Sequence, residues 1–321
     1  MNIAVLDDYQ RVAASSAAWD TLTDARVEFL HAPLQSDAEH AATLQPLDVI
    51  VAMRERTPFS AALLQALPKL RLLVTTGMRN ASIDMAACRA RGITVCGAPG
   101  SKESTGSTTE LAWALILGLL KRIPLEQQAL LEGRWQTGVT QSLAGKTLGL
   151  VGVGNLGSRM ARVGNAFDMR VVAWSPNLTA ERAQQAGVVA VDKQTLFATS
   201  DVVSLHLVLS PPTAGIVQRA DLRAMKPTAI LINTARAGLV EPSALLTALR
   251  EQWIAGAGLD VFDSEPLAFD DPLRTLPNVL LSPHLGYVTD DNLRAFYGNA
   301  VDAIKAWQAG SPIRVLSAFS P

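Results

Sequence analysis

The chain has little cysteine, histidine or aromatic side chain: two Cys, four His and 5% aromatic residues among 321. Cys88 and Cys96 provide neither a disulfide framework nor metal-ligand spacing, so no metal is expected. Both read as small core hydrophobes in a reducing compartment. Charge of one sign is lacking too. Lys and Arg number 28 against 29 Asp and Glu, a formal net charge of −1, which gives no electrostatic reason to expect nucleic acid or an anionic membrane as partner. The most apolar run, LAWALILGLL at 111–120, is about half what a bilayer needs. It reads as a buried helix suited to an internal or subunit interface. The N-terminal MNIAVLDDYQ has no basic region, apolar run or cleavage site of a signal peptide, so a cytoplasmic location is expected.

What is present is a repeated alternation. Strand candidates in the first hundred residues are IAVLD (3–7), VEFLH (27–31), DVIVAM (48–53), LRLLVTT (70–76) and ITVCGA (93–98). Helix-like segments such as SAALLQAL (60–67) and DMAACRARG (84–92) lie between them. The alternation begins afresh with TLGLVGV (147–153), RVVAWS (170–175), VVSLHLV (202–208), AILINTA (229–235), AGLDVF (257–262) and VLLSP (279–283). Strands alternating with helices predict parallel sheets with right-handed crossovers. Two series joined by the helix-like stretch 104–121 predict two α/β domains, each a doubly wound parallel sheet of Rossmann-like or flavodoxin-like kind. A cleft between such domains is the expected ligand site. Only the last few residues read as loose.

The second series opens on LGLVGVGNLGSRM (148–160), in which a buried strand runs into G-x-G-x-x-G and then a helix. A glycine-rich turn alone is a weak signal; strand before and helix after make it a dinucleotide cradle. Gly152 permits the bend, Gly154 lets backbone approach a pyrophosphate, and Gly157 lets helix pack on strand. Asn155 and Leu156 begin the helix, whose unpaired N–H groups favour phosphate. The end of the next strand normally carries Asp or Glu for the adenosine ribose of NAD. Here Ser175, Pro176 and Asn177 stand there. Without a carboxylate nothing repels a 2′-phosphate, and Ser175, Asn177 and Thr179 can hydrogen-bond to one, with Arg159 and Arg182 the nearest cations. The expected cofactor is NAD(P)H, with a slight lean to NADP.

Among the histidines, His31 and His40 read as surface or packing residues. His284 is different. It follows an apolar strand in LLSPHLGYVT; Arg236 follows AILINTA, and Asp260 and Glu265 follow another strand in GLDVFDSEPL. Parallel sheets collect ligands at the carboxyl ends of their strands, so Arg236, Glu265 and His284 are placed to converge. Read singly, Arg236 and Glu265 would equally serve as an exposed salt bridge and a helix cap before Pro266.

With GVGNLG, SLHLVLSPPTAG (204–215), NTARAGLVE, LDVFDSEPL and SPHLGYVT in this order, the chain resembles the D-isomer-specific 2-hydroxyacid dehydrogenase family over essentially its whole length, and within it the glyoxylate/hydroxypyruvate reductases. The resemblance implies a substrate-binding domain of residues 1–100 plus 290–321, an NAD(P)-binding Rossmann domain of residues 101–289, and homodimers formed through the inserted domain. It implies hydride transfer between a small 2-oxo acid and the D-2-hydroxy acid. Arg236 would bind the substrate carboxylate and polarise the ketone. His284 would donate and retrieve the proton, and Glu265 would orient it and favour its charged form. The backbone of Thr234 and Ala235, with His206, Thr213, Asp260 and Gly286, would line the cofactor site.

The chain departs from the family pattern in its substrate loop, where GMRNAS (77–82) replaces G-x-G-x-D-N. Arg79 points either to solvent or inward, and inward it would suit a second anionic group on the substrate. Arg54 and Met78 are further substrate-side candidates. Ala237 replaces the usual glycine after the arginine, and Tyr287 replaces a small residue, which would narrow the cleft and favour small substrates. The competing readings are phosphoglycerate dehydrogenase, a dinucleotide-sensing corepressor-like protein, and a formate dehydrogenase relative, which the chain resembles less because those enzymes carry glutamine where Glu265 stands.

Overall fold

The structure, a computed structural model, describes residues 1–34, 36–102 and 106–317. It divides into two units, Met1–Thr105 with Thr289–Pro321, and Gly106–Val288. Among the described residues no helix is long and apolar enough to cross a membrane. The C-terminal residues expected to be loose, from 318 on, lie outside the described residues, as do positions 104 and 105 of the helix-like stretch.

The first unit holds five parallel strands: β1 (Asn2–Val5), β2 (Arg26–Phe29), β3 (Val49–Ala52), β4 (Leu72–Thr76) and β5 (Thr94–Ala98), in the order β2-β1-β3-β4-β5. β3, reading VIVA, and β4, reading LLVTT, are buried at every position, as expected of parallel strands covered on both faces. Helix Asp290–Gln308 packs against β4 and β5. The sheet reverses direction between β1 and β3, and at such a switch point the strand ends leave a crevice for ligands. Cys88 and Cys96 are buried and free, and burial pushes the Cys88 thiol up to about 11; both serve as core hydrophobes.

The second unit holds seven: β6 (Thr147–Val151), β7 (Arg170–Trp174), β8 (Val189–Ala190), β9 (Val202–Leu205), β10 (Ile230–Asn233), β11 (Gly256–Leu259) and β12 (Val279–Leu281). Their order is β12-β11-β10-β9-β6-β7-β8, all parallel. The chain winds outward from β6 to β8, returns to β9 beside β6, and winds outward again. The switch point therefore falls between β6 and β9, directly below Gly152 and His206. Helix Ser107–Leu120 packs on β10 and β11 with Ala112, Trp113, Leu115 and Ile116 buried, so most of the apolar run is core.

The structure corrects the expected boundaries. β9, β10 and β11 stop at Leu205, Asn233 and Leu259, short of the expected ends at 208, 235 and 262, so His206, Thr234 and Asp260 lie in the loops beyond their strands. The two-residue β8 and helix Ile123–Leu131 carry no periodic signal long enough to anticipate.

Candidate active site

β6 delivers the chain into a turn that only glycine can make. Gly152 has φ +104°, and a Cβ there would meet the His206 carbonyl carbon at 3.0 Å. At Gly157 a Cβ would lie 2.2 Å from the Gly152 carbonyl oxygen. Gly154 differs: it precedes helix Asn155–Ala166, and a Cβ there would meet nothing within 4 Å. The first N–H groups of that helix, on Asn155, Leu156 and Gly157, have no carbonyl of the helix to bond, and a helix N-terminus favours anions. Open space over Gly154 and close packing at Gly157 fit a dinucleotide pyrophosphate.

The two glycines can be separated experimentally. Gly154→Ala should leave the melting temperature nearly unchanged yet weaken dinucleotide binding ~10-fold or more, by occupying the approach. Gly157→Ala should lower both, because its methyl meets backbone and the helix must shift at a cost of ~1–3 kcal/mol. Fluorescence titration alongside thermal denaturation reads this; a Gly154→Ala variant with unchanged affinity would reduce the motif to a structural turn.

Beyond β7, Ser175 is half-buried and Asn177 exposed. Thr179 caps helix Ala180–Gln185, accepting from the Arg182 N–H, while the Arg182 guanidinium donates to the Asn177 carbonyl at 3.2 Å. This cation is thus drawn back over the 175–179 loop. Beyond β9, His206 Nε2 lies 2.9 Å from the Ser204 hydroxyl. Burial holds its pKa down at about 4, so the ring is neutral and adds no charge beside the glycine turn. His206 Nδ1 and the Thr234 hydroxyl are buried polar atoms with no partner among the described residues; such atoms are costly unless a ligand or water satisfies them. The Thr213 hydroxyl bonds to the Val208 carbonyl at 2.7 Å and accepts from the Ser210 N–H at 2.8 Å, which closes its own loop.

Three strand ends carry the reactive side chains. After β10, Asn233 fixes the turn by donating to the Arg236 carbonyl (2.9 Å) and accepting from the Ala235 N–H (3.1 Å), while Arg236 Nη1 donates to the Ala235 carbonyl (2.7 Å). After β11, the Glu265 carboxylate accepts from the Phe262 N–H at 3.0 Å and from His284 Nδ1 at 2.6 Å. Burial pulls the Glu265 carboxyl upward, but the bond and charge of His284, the Phe262 N–H and Arg236 together bring it below the usual carboxylate range. It is therefore an anion at neutral pH. After β12, His284 sits at φ +53°, a left-handed conformation uncommon outside glycine. With Nδ1 engaged by Glu265, Nε2 is the nitrogen left for a reacting group. Tyr287 packs edge-on against the imidazole, ring centroids 5.3 Å apart at 77°.

Asp260 has a role that its sequence position does not reveal. Fully buried, it accepts from the N–H groups of Leu285 (2.7 Å) and Gly286 (2.9 Å), clamping the backbone directly after His284. Burial pushes its carboxyl up, opposed by the Ser282 hydroxyl, these two N–H groups and His284. The Gly286 carbonyl in turn accepts from Ser107 and Thr108, each at 2.8 Å. Main-chain partners leave no trace in a sequence pattern, so neither clamp is readable there.

In the first unit, Arg54 stands at φ +53°, and its guanidinium crosses Gly77 so closely that a Cβ there would lie 2.0 Å from Nη1. Asn80, almost wholly buried, holds the loop by donating to the Arg54 carbonyl (2.5 Å) and the Thr75 hydroxyl (2.9 Å) and by accepting from the Ser82 N–H (2.9 Å). Met78 and Arg79 are exposed. Asn80 was missed as the anchor of this loop; its only sequence signal was the unusual GMRNAS itself.

A family model for the NAD-binding domain of D-isomer-specific 2-hydroxyacid dehydrogenases matches residues 113–286. The chain belongs to the D-isomer-specific 2-hydroxyacid dehydrogenase family. The chain is 37% identical to a glyoxylate reductase of Thermococcus litoralis over 238 residues, 71% of each chain. It is 36% identical over 241 residues, 74% of its own length, to a D-3-phosphoglycerate dehydrogenase of Archaeoglobus fulgidus. The match spans only 45% of that longer relative. A crystal structure described as a phosphoglycerate oxidoreductase from Vibrio cholerae superposes with a TM-score of 0.91 at 36% identity, covering 97% of this chain and 99% of that one. The relatives are named as dehydrogenases and reductases.

Proposed function

We propose that the protein interconverts a small 2-oxo acid and the corresponding D-2-hydroxy acid. The observation that carries this reading is the His284–Glu265 pair held at 2.6 Å at strand ends of the same unit that carries the glycine turn. A bound nicotinamide dinucleotide supplies or accepts the hydride. Arg236 binds the substrate carboxylate and polarises its ketone. His284 Nε2 gives a proton to the ketone oxygen in reduction and removes it from the hydroxyl in oxidation. Glu265 stabilises the charged imidazole and fixes its tautomer. Asp260 holds the backbone that aims it, and Tyr287 restricts the room beside it, which favours substrates as small as glyoxylate or hydroxypyruvate.

A second substrate reading has its own support. Arg54 over Gly77, with Arg79 two residues on, supplies positive charge suited to a second anionic group, as in 3-phosphohydroxypyruvate. Following cofactor absorbance with glyoxylate, hydroxypyruvate, pyruvate, phenylpyruvate and 3-phosphohydroxypyruvate separates the two. A preference for the unphosphorylated acids supports the first reading, a preference for the phosphorylated one supports the second, and no turnover with any would overturn both.

NADP is the favoured cofactor in this reading, because the 175–179 loop has no carboxylate and Arg182 reaches back over it. Arg182→Ser should raise KM for NADPH ~10-fold with little change for NADH, the loss of one charge-assisted contact at an exposed site. An equal change for both cofactors would remove Arg182 from the phosphate site.

A homodimer accounts for the surface that follows the buried helix. Leu131, Trp135 and Val139 are 77%, 75% and 93% exposed, with Ile123, Leu125 and Leu130 exposed nearby. So many large apolar side chains along one short segment mark an association surface. Leu131→Glu combined with Trp135→Glu should convert a dimer to monomer by analytical ultracentrifugation; an unchanged mass would place the interface elsewhere. We assign the protein to the cytoplasm, where two buried free thiols need no oxidising machinery.

A further inference from the structure

A cavity of about 220 Å³ lies beneath the loops that carry Arg236 and Glu265. Its lining is mainly apolar, with Val240, Leu245, Leu246, Leu259, Val261 and Leu273 contributing. An apolar cavity of ~150 Å³ is enough to stay dry and take up benzene, so this one has room for a substituted ring or a branched chain of similar bulk. Its polar rim is one-sided. Asp263 and Asp271 both line it, and no Lys or Arg does. The Asp271 carboxylate accepts from the Leu273 N–H at 2.9 Å. Arg274, the nearest cation in sequence, is engaged by the Leu267 and Ala268 carbonyls. Asp263 is exposed, and burial and then the charge of Asp271 push its carboxyl upward.

The cavity also touches the catalytic loops from behind. Asn233, in its wall, is the residue that holds the Ala235 N–H and the Arg236 carbonyl. Phe262, also in the wall, gives its N–H to Glu265. An occupant therefore lies one hydrogen bond from the substrate-binding arginine and one from the carboxylate paired with His284.

We propose that this cavity is a regulatory site for a small organic ammonium compound, with the apolar body among the leucines and the ammonium at Asp263 and Asp271. The occupant is opposite in charge to a 2-oxo acid, so a substrate molecule binding twice does not account for it. The binding claim stands apart from the proposed reaction; only its effect on turnover rests on that reading.

Benzylamine is a suitable probe, compared with benzyl alcohol and benzoate, which keep the ring and change the charge. Calorimetry on the whole chain, with methyl resonances of Leu246 and Leu273 observed by NMR, should show saturable benzylamine binding that shifts both methyls. Benzyl alcohol should bind about tenfold more weakly and benzoate not at all, since a charge-assisted bond at a part-exposed rim is worth about a decade of affinity. Asp263→Asn should remove the preference for the amine, and Leu246→Phe should abolish binding by filling the space. Absence of saturable binding, or benzylamine affinity unchanged in a folded Asp263→Asn protein, would overturn the proposal. Because these readouts need no turnover, a failed activity assay leaves them intact.

Discussion

Replacing His284 by asparagine is expected to lower kcat for 2-oxo acid reduction ~10²–10⁴-fold, the usual worth of a positioned proton donor, with dinucleotide affinity unchanged. Asparagine is the informative substitution because residue 284 sits at φ +53°. Asparagine tolerates that conformation, whereas alanine adds backbone strain to the loss of the imidazole. Glu265→Gln keeps the shape of the pair and removes its charge. It should cost less in kcat than His284→Asn, because the imidazole keeps a hydrogen-bond partner and loses only the charge beside it. Steady-state rates across pH, with a fluorescence titration of cofactor, check both. Near-normal turnover in His284→Asn would give the proton to another group and turn the pair into a structural one.

Arg236→Lys is expected to reduce kcat/KM ~10²–10⁴-fold, as loss of a two-pronged contact with the substrate carboxylate would. A lysine keeps the charge, so any long-range attraction for anions survives; only the fork is lost. The Asn233 clamp acts on main-chain atoms of Ala235 and Arg236, so the turn should keep its form in the variant. If kcat/KM for 2-oxo acids stayed within about twofold of wild type, the arginine would be a surface cation that happens to follow a strand.

Much of the fold was legible because parallel strands covered on both faces read as unbroken apolar runs, and β3, β4, β9 and β10 are of this kind, buried at every position. The same property blurred their ends. Apolar Leu207, Ala235 and Phe262 carry the pattern past the last ladder bond and pack against the core from the loops. Helix Ile123–Leu131 escaped notice because its large apolar residues face outward, and no amphipathic period marks it. At the site, Arg236, Glu265 and His284 could be named from motif order, since each follows a strand. How they are held could not. The Asp260 clamp on Leu285 and Gly286, and the placement of Arg54 across Gly77, depend on main-chain atoms and a side-chain direction that residue letters do not encode.

The division of the chain also orders events in time. The first unit is built from Met1–Thr105 and Thr289–Pro321, so when β4 and β5 leave the ribosome the helix that covers them, Asp290–Gln308, has not been made. At ~5–20 residues per second, the intervening segment Gly106–Val288 takes on the order of ten to forty seconds to emerge. It can complete its own sheet in that interval, since all seven of its strands are contiguous in the chain. A nascent chain thus acquires its glycine turn and its histidine–glutamate pair first, while an apolar sheet face waits uncovered upstream. During synthesis, that waiting face is where the protein most needs a chaperone.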